Sequence, residues 1–285
     1  MPVPFPVDLE GRVAVVTGGA GVLCRPMALA LAECGARVAV LGRQLDKAEA
    51  VAQAIRQAGG EALARSCNVL DKADLETAQA AIGAALGPVT ILINGAGGNH
   101  PQGTTQKEYA SPDDLHPPAG GPSTFFDLTV EGVQAVFSLN FLGTFLPTQV
   151  FSRDMLRAGH GDIINISSMN AIRPLTRTPA YSAAKAGIAN FTQWLAVHFS
   201  KTAIRVNAIA PGFFLGEQNR ALLTRPDGSL TPRGQAIIGH TPQGRFGDPP
   251  DLVGALLFLL SQPGARFITG QIIAVDGGYS AFAGI

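Results

Sequence analysis

Charge of either sign is scarce in this chain. Asp, Glu, Lys and Arg make up 15% of the 285 residues, and 21 basic side chains balance 21 acidic ones. So balanced a chain has no global field to draw it to nucleic acid or to an anionic membrane surface, and neither is expected as a partner. Cysteine is scarcer still, with three residues at 24, 34 and 67 in no metal-ligand spacing and odd in number. That argues against a disulfide framework and against a metal site, and it suits a reducing cytoplasm. Long hydrophobic runs are missing too. Residues 252–260 form the longest late one, far short of the roughly 20 needed to span a bilayer. The opening Met1-Pro-Val-Pro-Phe-Pro has no basic stretch and no long apolar segment, so no signal peptide is indicated. No internal repeat or low-complexity tract appears.

What is present is apolar and rhythmic. Hydrophobic residues reach 46%, ample for one large core. Short apolar or β-branched runs at 12–16, 38–41, 61–67, 89–93, 161–166, 204–209 and 271–275 read as strands. Helical patterns at 26–34, 45–57, 72–86, 125–157, 178–199 and 249–261 separate them. Alternation of this kind is what a parallel sheet covered by helices on both faces requires. The expected fold class is α/β, in one domain over residues 1–285. Two regions look added to that frame. One is a Pro-, Gly-, Asp- and Thr-rich loop at about 98–124; the other is a segment at about 213–241. A loop this long inside a compact domain is usually functional or disordered.

Two clusters carry chemistry. The first strand runs directly into Thr17-Gly18-Gly19-Ala20-Gly21-Val22-Leu23-Cys24 and then into a helix, with a second strand after Gly35-Ala36. Such a βαβ unit presents backbone N–H groups at a helix N-terminus, where a pyrophosphate binds; the alternative is a plain glycine-rich turn. The second cluster is Tyr181-Ser-Ala-Ala-Lys185, with Ser168 upstream at a strand end. Positions i and i+4 of a helix share a face, so Tyr181 and Lys185 point into one site. An ammonium beside a phenol favours phenolate, which fits a tyrosine for acid–base work, and Ser168 can hold a substrate oxygen against Tyr181. Taken alone the pair is weak, because many helices set a lysine stem against an aromatic ring.

Together these residues resemble the short-chain dehydrogenase/reductase family over essentially the whole chain. Thr17-Gly18 and its glycine-rich continuation, Asn94-Gly-Ala-Gly97, Asn140 within Leu139-Asn140-Phe-Leu-Gly143, Ser168, Tyr181 with Lys185, Pro211-Gly212 and Asp276-Gly-Gly278 match its landmarks in order. The resemblance implies a Rossmann-type doubly wound sheet, a nicotinamide cofactor, a homotetramer and a catalytic tetrad of Asn140, Ser168, Tyr181 and Lys185. It implies cofactor contacts from Thr17, Gly18, Gly19, Gly21, Val22 and Leu23, from Asn68 and Val69, and from Asn94, Gly95, Ala96 and Gly97. Tyr181, Lys185, Pro211 and Gly212 complete that set. In the implied scheme Lys185 lowers the Tyr181 pKa and Asn140 holds a proton-relay water. Three positions depart from the pattern. Val22 and Cys24 stand where the second and third glycines of the turn would fall, and Gly95 stands where a second Asn would. At the end of the second strand Gly42 occupies the usual acidic position and Arg43 follows it, which favours NADP over NAD.

The added regions resemble the D-mannonate oxidoreductase, or fructuronate reductase, subgroup of that family. The segments concerned are 95–101, 169–175, 213–220 and 240–247. A sugar-acid substrate needs a cation for its carboxylate, and Arg173 and Arg177 lie on the loop between Ser168 and Tyr181. Asn99, His100, Gln218, Asn219 and Arg220 supply polar groups for hydroxyls, whereas Phe213 and Phe214 are the apolar alternative. The expected substrate contacts are Asn99, His100, Ser168, Arg173 and Asn219. Other readings are a reductase for another polyol or keto-sugar acid, such as a gluconate 5-dehydrogenase-like activity, and a cofactor-sensing protein without turnover.

Overall fold

The computed structural model describes residues 7–116 and 118–284. Residues 1–6, which carry the signal-peptide reading, lie outside them, as do Pro117, Ile285 and the side chains of Glu217 and Gln218.

Seven strands form one parallel sheet in the order β3-β2-β1-β4-β5-β6-β7. They are β1 Val13–Thr17, β2 Arg37–Gly42, β3 Ala62–Ser66, β4 Ile91–Asn94, β5 Gly161–Ile166, β6 Ile204–Pro211 and β7 Ile272–Val275. Every residue of β1, β4, β5 and β6 is buried, as expected of central parallel strands covered on both faces. Side chains of β1 alternate between two apolar layers. Ala14 and Val16 meet α1 (Cys24–Glu33), α2 (Leu45–Gln57) and α9 (Val253–Leu260). Val13 and Val15 face α3 (Lys72–Ala85), α5 (Gly143–Ala158) and α6 (Pro179–His198). Strand order reverses between β1 and β4, which leaves a crevice at their carboxyl ends. At the opposite end of the sheet, buried Asp162 of β5 pairs with Arg12 and Arg205, tying β1, β5 and β6 together away from that crevice.

The helix expected over 125–157 is three pieces. Helix α4 (Val130–Phe137) passes through a π-helical turn, Ser138–Leu142, into α5. Side chains take over the carbonyls that the wider turn frees. Asn140 Nδ2 donates to the Val136 carbonyl (2.8 Å), Thr144 Oγ1 to that of Asn140 (2.9 Å), and Thr148 Oγ1 to that of Thr144 (2.8 Å). Pro147, with no N–H to give, sits in the following turn. The 98–124 region also has structure of its own. Three short 3₁₀ turns, Pro101–Gly103, Pro112–Leu115 and Phe125–Asp127, are held by caps from His100, Ser111 with Asp114, and Thr124 with Asp127. The first seats on Gly132 of α4, where a Cβ would lie 2.5 Å from the Gln102 backbone. Within 213–241 two short helices, α7 (Glu217–Leu223) and α8 (Pro232–Gly239), form a hairpin. The last helical pattern begins as a 3₁₀ turn, Pro249–Leu252, before α9, and the short α10 (Gln262–Ala265) follows. No helix among the described residues is long and apolar enough to cross a membrane. No group of three or more His, Cys, Asp or Glu side chains among them is placed to hold a metal ion.

Candidate active site

The carboxyl ends of β1, β4, β5 and β6 deliver the chemistry. Ser168 follows β5, and its hydroxyl lies close enough to the Tyr181 phenol of α6 to lower its pKa. Tyr181 and Lys185 share one face of α6, as the spacing requires, with the ammonium 5.5 Å from the centre of the phenol ring. Lys185 is 4% exposed, and its Nζ donates to the Ile166 carbonyl (2.8 Å). Burial pushes its pKa down to about 8. Burial also pushes the Tyr181 pKa up, opposed by the Ser168 hydroxyl. This corrects the expectation that Lys185 sets the phenol low. Burial is the larger cause of both shifts, and the partner that favours phenolate is Ser168.

Asn140 lies fully buried in the π turn. Its amide is already engaged, with Nδ2 donating to the Gly98 (2.7 Å) and Val136 carbonyls and Oδ1 accepting from Gly98 N–H (3.3 Å). The side chain so engaged clamps the 97–98 turn, and its Oδ1 accepts only the Gly98 N–H among the described residues. Gly97 closes the cluster, since a Cβ there would sit 2.8 Å from Asn140 Oδ1 and 3.3 Å from Lys185 Nζ.

The expected cofactor residues divide into cradle and support. Gly18 has φ +62° and presses on the Ala96 backbone, and Gly19 has no room for a Cβ beside Val40 and the Val16 carbonyl. Leu23 opens α1 with no side-chain cap and no acid in the first turn, leaving N–H groups for an anion. These features fit a dinucleotide pyrophosphate. Thr17 is support: its Oγ1 accepts from Gly95 and Ala96 N–H (3.1 and 3.2 Å), joining the two turns. Asn94 points down into the core, where Nδ2 donates to Thr148 Oγ1 and Asn165 Oδ1 (2.9 Å each) and Asn165 donates on to Thr192. The sequence reading missed this buried chain, whose members are isolated polar residues in apolar runs. Arg43 is exposed at the end of β2, Asn68 is exposed and Val69 is buried. Gly212 closes on Asp276, whose Cα lies 2.6 Å from where its Cβ would be.

The three departures in the turns are two matched exchanges. A Cβ at Gly95 would lie 2.2 Å from Cys24 Sγ, so the thiol of the first turn fills the space that a side chain at 95 would need. Cys24 is buried, and its thiol pKa is raised to about 12, so it acts as packing and not as a nucleophile. Val22 packs against Gly216 in the same manner, its methyls 3.0 and 3.1 Å from where a Cβ would sit.

The substrate residues are less uniform. Arg173 is exposed, donates through Nη1 to the Phe282 carbonyl, and lies close enough to Tyr279 to lower its pKa against burial. Arg177 is paired with Glu108 of the inserted loop (3.0 Å), a partner the sequence did not announce. His100 accepts Gln102 N–H on Nδ1 (3.3 Å), and Asn99 Oδ1 accepts His100 N–H (2.9 Å). Both ends of the Asn219 amide are spent on its own loop, donating to the Phe214 carbonyl and accepting Gly216 N–H (2.8 Å each).

The family model for short chain dehydrogenases matches residues 12–226, a span that holds the turn, the 94–97 segment and all four tetrad positions. The chain belongs to the short-chain dehydrogenase family. This short-chain dehydrogenase is 49% identical over 283 residues to the uncharacterized oxidoreductase UxuB of Bacillus subtilis (strain 168), covering 99% of this chain and 100% of that protein. It is 31% identical over 270 residues to the 7alpha-hydroxysteroid dehydrogenase of Escherichia coli (strain K12), covering 95% of this chain and 94% of that one. A solved structure of a proposed D-mannonate oxidoreductase from Haemophilus influenzae, with bound NAD, superposes with a TM-score of 0.92 at 48% identity over 98% of both chains. The short-chain dehydrogenase is therefore an oxidoreductase that works on a CH–OH group with a nicotinamide cofactor.

Proposed function

We propose that this short-chain dehydrogenase interconverts D-fructuronate and D-mannonate with NAD. The observation that carries the reading is its likeness over its full length to the Haemophilus influenzae protein, whose structure holds NAD. The mouth of the site agrees. Arg173 keeps guanidinium donors without a bond among the described residues, within reach of a carboxylate arriving between Ser168 and the C-terminal tail. Asn99 is exposed and His100 half-buried just after the 94–97 segment, and both carry polar groups suited to hydroxyls. A bound nicotinamide supplies the hydride. Ser168 and Tyr181 hold the ketone oxygen and stabilise the charge that develops on it. Tyr181 gives its proton to that oxygen, and in oxidation takes it back. The Ser168 hydroxyl makes the phenolate cheaper to form, Ile166 holds the Lys185 ammonium beside the phenol ring, and Asn140 keeps Gly97 and Gly98 in place.

Arg43 supports a second reading for the cofactor. It is exposed at the end of β2 with Gly42 where an acid would exclude a 2′-phosphate, which favours NADP. Oxidation of NADH and of NADPH by the purified protein, each with D-fructuronate, tests both readings. Saturable turnover with NADH preferred supports the proposal. Preference for NADPH restores the Arg43 argument, and no turnover with either rejects the substrate. A homotetramer in a reducing, cytoplasmic setting completes the proposal. Three free cysteines, two of them buried, and the exposed aromatic face of α6 support it.

A further inference from the structure

We infer that Val22 is a positioning residue that latches the α7–α8 hairpin to the cofactor turn through Gly216. Glycine at 216 is not demanded by its backbone. With φ −137° and ψ 170° that residue is extended and open to any side chain. What crowds a side chain there is the neighbour: Val22 Cγ1 and Cγ2 lie 3.0 and 3.1 Å from the place a Cβ would take. Val22 itself is 36% exposed, so no core requirement explains a β-branched residue in a turn where small residues suit a phosphate. Its apolar surface has one evident use, which is to bear on the first residue of the hairpin.

The hairpin is anchored at both ends, and Gly216 lies at the first of them. Upstream, Leu215 N–H donates to the Gly247 carbonyl (3.3 Å) and Gly247 N–H to that of Phe213 (2.9 Å). Downstream, Gln243 N–H donates to the Gly277 carbonyl (3.1 Å), and Thr241 and Pro242 rest on Gly277 and Gly278. Between these anchors α7 and α8 bond to each other, through Thr231 N–H to the Leu223 carbonyl (3.0 Å) and the close seat of Gly234 on that same carbonyl. Gly216, at the cap of α7, is where this unit meets the cofactor turn. A cofactor that orders residues 18–23 thereby sets the height of the hairpin over the substrate, so the order of the turn is transmitted by one methyl-to-backbone contact. The inference rests on the reading that the hairpin covers the substrate.

The test compares Val22→Gly, Gly216→Ala and the double variant with wild type, all saturated with NAD. Tryptic cleavage after exposed Arg220 and Arg233 reads the hairpin without any substrate. Fluorescence titration of NADH reads the turn, and ketone KM against kcat reads the site. The expected result for Val22→Gly is cleavage at least fivefold faster and ketone KM at least fivefold higher, with NADH affinity within twofold. Gly216→Ala should raise cleavage as well, because its methyl pushes the hairpin off Val22. The double variant, with the methyl moved across the contact, should recover most of the protection. Unchanged cleavage in Val22→Gly overturns the latch. So does a loss of NADH affinity in step with cleavage, or a double variant whose effects simply add. If D-fructuronate proves inert, the cleavage and titration arms still decide the latch, so the two failures are distinguishable.

Discussion

Lys185 is a cation held where cations are costly. Its shift from 10.5 to about 8 amounts to a folding cost on the order of 3 kcal/mol while it is charged. The sign follows from proton counting. Between pH 8 and 10.5 the unfolded lysine binds a proton that the folded one has released, so stability rises with pH across that window; below pH 8 the cost is present in full. Lys185→Met removes the cost along with the charge, though it also strands the Ile166 carbonyl. We expect activity to fall at least ~1,000-fold, within the range of a single general acid–base contribution. We also expect the variant's stability advantage at pH 7 to shrink by pH 9.5. Urea melts at the two pH values measure it, and a constant difference would refute the burial account. The i, i+4 spacing made the meeting of Tyr181 and Lys185 legible in the sequence. Their pKa directions were not, because desolvation depends on what Ile166, Gly97 and the π turn place around them.

At the scale of elements, the informative pair is two turns facing each other at the ends of β1 and β4. Each departs from the family pattern where it faces the other: Cys24 adds bulk and Gly95 removes it. Read singly in the sequence, Cys24 and Gly95 are two separate departures; their exchange is visible only when residues far apart in the chain are seen in contact, which periodicity cannot supply. Restoring Asn at 95 alone forces a side chain onto Cys24 Sγ and the Thr17 carbonyl, 2.2 and 2.8 Å from its Cβ. Gly95→Asn should therefore cost about 1–3 kcal/mol, the usual range for overpacking. Cys24→Gly in the same chain should return at least half of it. Thermal melts of the two single variants and the double one check this, and a loss in the double variant equal to the sum would mean the positions are independent. The strands themselves were readable from apolar runs to within a few residues for β1 to β7. The break in the helix at Ser138–Leu142 was not, because π geometry follows from side-chain bonds by Asn140 and Thr144 that leave no periodic mark.

The whole molecule shows a face that one subunit does not cover. On α5 and α6 a ladder of rings runs from Phe141 and Phe145 to Phe191, Trp194 and His198, with successive centroids 4.7 to 6.3 Å apart. Trp194 is 56% and Val197 74% exposed, and Phe137 and Leu142 are exposed beside the π turn. Trp194 and His198 are the exposed end of this ladder, and an exposed apolar patch of this kind suits the proposed association. A formal net charge of zero adds no repulsion to keep copies apart. The same helix carries Tyr181 and Lys185 at its other end, so covering this face also braces the site. In the proposed tetramer a charge placed there would be buried unpaired. We expect Trp194→Glu with Val197→Glu to run in light scattering as a species smaller than wild type, with kcat lowered several-fold and Tm reduced. An unchanged mass would mean that α6 is free in solution and that the tetramer, if formed, is built elsewhere, with the β7 edge and fully exposed Phe267 as the next face to alter.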